Sequence, residues 1–137
     1  MGIAFTKSAI DLGIVITDSE ASLAFYRDTL GLEHIGDTPA SGGATMHRLM
    51  CGDTMIKLVK HPTNPAATAA PGGLAGASGI RYFTINCSNV AEMAATCEAA
   101  GAPVAVPPTE IRPGVTIAMV EDPDGNWVEF VHYADAG

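Results

Sequence analysis

Two cations, Arg48 and Lys57, flank a Gly52-Asp53 dipeptide. Read as a two-residue hairpin turn, that dipeptide sets a register. Cys51 then faces Thr54, Met50 faces Met55, Leu49 faces Ile56, Arg48 faces Lys57 and His47 faces Leu58. Side chains alternate along a strand. Arg48 and Lys57 therefore share a face with Met46, Met50, Met55 and Val59, while Leu49, Ile56 and Leu58 form an apolar face that suits a covering helix. Like charges directly opposite one another destabilise a sheet. One reading is that the pair holds a substrate carboxylate or phosphate, or neutralises charge that develops during a reaction. The other is that Lys57 is a structural cation between carboxylates. The methionines are a soft lining that adapts to an aromatic or aliphatic body, or else they fill a core.

A second set lies near the end of the chain. Trp127 and Glu129 alternate with Val128 and Phe130 after Asp122-Pro123-Asp124-Gly125, a turn signal in which Pro presets φ and Gly accepts the left-handed region. Placing Val120 opposite Trp127 sets Ala118 opposite Glu129. Met119, Val128 and Phe130 are then expected on the helix-covered face, and Thr116, Ala118, Trp127, Glu129 and Val131 on the other. By the same alternation Tyr82, Thr84 and Asn86 share a face, as do Asp11, Gly13 and Val15. Cys51, Cys87 and Cys97 form no close-spaced metal or redox motif, and an odd, sparse count suits a reducing cytoplasm.

The elements that position these residues repeat. Ile10 to Ile16 is strand-like, Thr17-Asp18-Ser19 supplies a helix cap, and Glu20 to Leu30 reads as a helix with Leu23, Tyr26 and Leu30 on one face, closed by Gly31. Seventy residues on, Ile80 to Cys87 is strand-like and Ser88-Asn89 offers caps. Val90, Met93, Ala94, Cys97 and Ala100 mark a helical face, and Gly101 closes it. Leu32–Asp37 and Pro103–Pro107 are extended stretches after each helix, and two further strands follow in each half. The expectation is an α+β fold: a single domain over 8–134, made of βαβββ modules at 8–60 and 79–134. The two would curl into one curved mixed sheet, a cup with helices outside. The Pro/Ala/Gly-rich tract 61–78 would be a linker or a lid.

Composition narrows the function classes. The 137-residue chain carries seven Lys+Arg against fifteen Asp+Glu, a net charge of −8. An acidic surface disfavours nucleic acid. No apolar run reaches the ~20 residues of a membrane span, and no signal-peptide pattern is present. A cytoplasmic location is expected.

The Asp11–Gly31 stretch, with its Asp28-Thr29-Leu30-Gly31-Leu32 stop, and above all Asp122-Pro123-Asp124-Gly125-Asn126-Trp127-Val128-Glu129-Phe130, resemble the vicinal-oxygen-chelate superfamily, the glyoxalase, bleomycin-resistance and dioxygenase fold. The resemblance spans about 8–134 and implies the cup. It also implies where the four metal ligands of that superfamily's enzymes would fall: on Asp11, Lys57, Tyr82 and Glu129. Only Glu129 is a usual ligand, and Lys57 is a cation and a poor one. His34, His47, His61 and His132 stand elsewhere. The resemblance therefore implies a member with no glyoxalase-type metal site and no cofactor.

The expected activity is proton transfer on a small anionic or aromatic metabolite, of isomerase, epimerase or lyase type. Glu129 would be the base, with Lys57 and Arg48 stabilising charge. Asp11, Tyr82, Trp127, Met46, Met50 and Met55 would complete the binding surface. Two alternatives stand beside it. One is a non-catalytic binding protein of bleomycin-resistance type. The other is a metal enzyme using Asp11, Glu129 and a substitute such as His61. The superfamily also implies a homodimer.

Overall fold

The computed structural model describes residues 2–134. The chain divides into two compact units, Met1–Ala66 and Ala67–Gly137.

In the first unit β1 (Asp11–Ile16) leads into α1 (Ser19–Leu23), and β2 (Glu33–Pro39), β3 (Thr45–Cys51) and β4 (Thr54–Lys60) follow. The sheet order is β1-β4-β3-β2. β1 runs parallel to β4, and the other pairs are antiparallel. The hairpin across Gly52-Asp53 has the register expected from the turn: Arg48 opposite Lys57, Leu49 opposite Ile56 and His47 opposite Leu58. Ile16, Leu49, Ile56 and Leu58 are buried together with Phe25 and Tyr26.

Asp18 caps α1, its carboxylate accepting from the Ala21 amide at 3.0 Å. The single α-helix expected over 20–30 is not what forms. From Ala24 to Thr29 the helix widens to π geometry. The Leu30 amide reaches back five residues to the Phe25 carbonyl, and the Thr29 hydroxyl donates to the Ala24 carbonyl. Ser22, Phe25 and Tyr26 are buried, while Leu23 and Leu30 of the expected face are only half-buried.

The second unit repeats the plan. β5 (Tyr82–Asn86), α2 (Val90–Ala99), β6 (Val104–Arg112), β7 (Val115–Glu121) and β8 (Trp127–Tyr133) build a sheet of order β5-β8-β7-β6, with β5 parallel to β8. α2 buries Val90, Ala94 and Cys97. The fold is α+β, built on two mixed four-stranded sheets.

The β7–β8 register differs from the sequence expectation by one residue. Glu121, not Val120, lies opposite Trp127, and Met119, not Ala118, lies opposite Glu129. The cause is the Asp122 carboxylate. One of its oxygens accepts from the Asp124 and Asn126 amides at 3.0 and 2.8 Å, and the other from the Asn126 side chain at 3.0 Å. This closes the loop one residue tighter than assumed. A one-residue slip exchanges the faces of a strand. Ala118 and Val120 therefore join Val128 and Phe130, while Ile117, Met119 and Glu121 join Trp127, Glu129 and Val131. Ile117 and Val131 cluster with Val115, and Val106 packs against them.

Candidate functional site

In the first unit, Asp11, Gly13 and Val15 of β1 pair with Met55, Lys57 and Val59 of β4, so all share one face. Met46, Arg48 and Met50 of β3 lie on that face too. The two cations occupy central strands. The carboxylates, Asp11 and Glu33, stand on the outer ones.

Lys57 Nζ lies 3.3 Å from Asp11 Oδ2, and Lys7 Nζ donates to Asp11 Oδ1 at 2.7 Å. Lys7 first, then Lys57, holds the Asp11 carboxyl below the usual aspartate range. The Asp11 carboxylate is thus shared by two ammonium groups, and an ammonium is a poor metal ligand. Arg48 is less well served. Its Nε is buried and has no hydrogen-bond partner among the described residues.

In the second unit, Tyr82, Thr84 and Asn86 of β5 pair with Trp127, Glu129 and Val131 of β8. The Thr84 hydroxyl donates to Glu129 Oε1 at 2.7 Å, which orients the carboxylate. Tyr82 is exposed, while Trp127 is half-buried. The tract read as a linker or lid is folded in part against Trp127. A Cβ at Gly73 would come within 2.5 Å of the indole ring, and Gly73 has φ +63°. Arg81 donates to the carbonyls of Ala70, Pro71 and Gly73 at 2.7–3.2 Å. A cavity of about 430 Å³ lies here, lined by Ala70, Gly73, Ile80, Arg81, Asn126 and Trp127 among others.

The sequence reading missed one cluster. His34, Asp37 and His47 bring their ligand-type atoms within 4.8 Å of one another. It missed Arg81 as well. Gly36 inside a strand-like run was the available signal for the first, because glycine in a strand often marks a bulge.

A family model described as the Glyoxalase/Bleomycin resistance protein/Dioxygenase superfamily matches residues 9–130. The chain belongs to this superfamily. Among solved structures, it is similar to a lactoylglutathione lyase from Agrobacterium tumefaciens, with 28% identity, 93% of this chain and 95% of that one covered, and a TM-score of 0.65. A glyoxalase/bleomycin resistance protein from Streptomyces sp. CB03234 is 25% identical over 90% of this chain and 98% of that one, with a TM-score of 0.65. The antibiotic binding protein TnmS3 from the same Streptomyces strain shares the fold at 22% identity, covering 97% of this chain and 98% of that one with a TM-score of 0.68. None of the curated proteins compared matches. Among the described residues, no helix is long and apolar enough to cross a membrane.

Superfamily membership does not choose between catalysis and binding, since one fold hosts both. Asp11, Arg48, Lys57 and the three methionines come together on the first sheet, and Tyr82, Trp127 and Glu129 on the second.

Proposed function

We propose that this chain binds a small organic anion with an apolar or aromatic body, held on the face of the first sheet that carries Arg48 and Lys57. The supporting observation is the buried Arg48 Nε without a hydrogen-bond partner, directly across the ladder from Lys57. A buried donor left unmatched costs about 1–3 kcal/mol. A ligand carboxylate or enolate oxygen accepts from it and offsets the repulsion between the two cations. Met46, Met50 and Met55 provide the adaptable apolar surface beside them. On a chain of net charge −8, this local cationic pair also selects the sign of the ligand. The reading is metal-independent. It is also compatible with a homodimer acting in the cytoplasm.

A second reading, proton transfer of isomerase, epimerase or lyase type with Glu129 as the base, is favoured by the Thr84 hydrogen bond that orients that carboxylate. One experiment separates the two. A panel of aromatic and aliphatic carboxylates, with their neutral esters and matching amines, is screened by thermal shift, and each hit is then incubated and analysed for chemical change. Carboxylates should raise the melting temperature, and Arg48→Met should abolish the shift. Amines stabilising as well as acids, or Arg48→Met leaving the acid response intact, would overturn the binding proposal. Product formation lost in Glu129→Gln with binding retained would establish catalysis, whereas a hit recovered unchanged establishes binding alone.

A further inference from the structure

His34 and Asp37 are three residues apart on β2, so in a regular strand they would point to opposite faces. They do not, because β2 is bulged. His34 lies opposite Leu49, and after a register shift Gly36 lies opposite Arg48 and Asp37 opposite His47. The extra residue returns Asp37 to the face of His34 and His47. This is the helix-side face of the first sheet, opposite the one carrying Arg48 and Lys57. The bulge depends on Gly36, whose φ of +149° few other residues adopt. Bulges of this kind commonly re-aim side chains.

Three donors converge as a result. His34 Nε2 and His47 Nδ1 lie 2.6 and 2.8 Å from the same oxygen, Asp37 Oδ1. The two imidazole rings stand nearly perpendicular, with centroids 6.0 Å apart. On its other side His47 Nε2 lies 2.9 Å from Ser19 Oγ, at the start of α1. A proton on Nε2, donated to that hydroxyl, leaves the Nδ1 lone pair aimed at the cluster. This is the outer partner that a metal-bound histidine requires.

We propose that His34, Asp37 and His47 form a binding site for a divalent transition-metal ion. Two imidazoles and a carboxylate suit zinc, nickel, cobalt or copper, and three protein ligands leave a further position for water. A tetrahedral ion with bonds of roughly 2.1 Å spaces its ligands by roughly 3.4 Å, so Asp37 must draw back by somewhat over half an ångström. Its side chain is 47% exposed and free to do so, whereas His47 is buried and held by Ser19. Bound there, the ion joins β2 to β3 and, through His47 and Ser19, to the start of α1. The site is independent of the anion-binding proposal, which concerns the other face.

The test uses tag-free protein, treated with chelator and dialysed, then titrated calorimetrically with Zn²⁺ and Ni²⁺ and followed by visible absorption with Co²⁺. The wild type should bind one ion per chain with ligand-field bands of a nitrogen and oxygen site. His34→Gln and Asp37→Asn should each weaken binding by about tenfold or more, and Ser19→Ala by about tenfold. His61→Gln and His132→Gln should leave it unchanged. Because His47→Gln risks misfolding, the two more exposed ligands are the ones varied, with circular dichroism confirming that the variants fold. No saturable binding in the wild type would overturn the proposal. So would binding that survives His34→Gln and Asp37→Asn, or binding that is lost with His61→Gln.

Discussion

Arg48 and Lys57 face each other directly across the β3–β4 ladder, and Lys57 pairs with the Asp11 carboxylate at 3.3 Å. Like charges so placed cost roughly 0.2–1 kcal/mol. Arg48→Met should therefore raise the urea midpoint slightly while removing the thermal shift caused by carboxylate ligands. A variant that gains stability as it loses binding is the signature of a site held under electrostatic strain. Loss of both would mark Arg48 as a packing residue.

The Asp11 carboxyl sits below its ordinary value of 3.8 because Lys7, and then Lys57, favour its ionised form. A lowered carboxylate contributes stability that is fully present above the unfolded value and is lost as pH falls through the folded one. The stability difference between wild type and Asp11→Asn should thus be constant from neutral pH down to the ordinary aspartate value and shrink below it. Urea melts at stepped pH values would show this. A difference that grows on acidification would contradict the assignment.

Gly36→Ala places a side chain at φ +149° and a Cβ 3.1 Å from Arg48 Nη2. Strain at such a position costs about 1–3 kcal/mol. The variant should lose that much in equilibrium denaturation and should also lose metal affinity with all three ligands intact. Retained metal binding would show that the bulge does not position the cluster.

The β7–β8 register can be tested at Ala118, which is fully buried opposite Phe130. Ala118→Leu should overpack the helix-side core by about 1–3 kcal/mol. A neutral result in chemical denaturation would instead favour the register in which Ala118 faces Glu129.

Burial pushes the Cys97 thiol up to about 11, and the residue is fully buried. A thiol reacts as its thiolate. Alkylation at pH 8 followed by peptide mass mapping should leave Cys97 unmodified in the folded protein and label it in urea. Labelling of Cys97 in the native protein would mean that α2 opens readily.

Much of this molecule was legible in one dimension because the signals are local. The Gly52-Asp53 turn set the β3–β4 register correctly, since a two-residue loop leaves no slack. The strand, helix and strand order recurred at seventy residues because each module must bury one sheet face under one helix, and the same pattern of caps and apolar spacing does that twice. Strand alternation also grouped Asp11 with Gly13 and Val15, and Tyr82 with Thr84 and Asn86, but that β1 lies beside β4 and β5 beside β8 was decided by the fold.

What the residues alone could not decide depends on contacts between segments. The Asp122 carboxylate tightened the β7–β8 loop through bonds to amides on its far side, and one residue of slack had been enough to exchange the faces of β7. The first helix widens to π geometry from Ala24, and the sheet it packs on buries Ser22 and Phe25 beside Tyr26 rather than Leu23 and Leu30. The His34, Asp37 and His47 cluster has no sequence spacing of its own. It exists because a bulge at one strand edge, a neighbouring strand and the first residue of a helix meet in space, and only folding determines which side chains share a face.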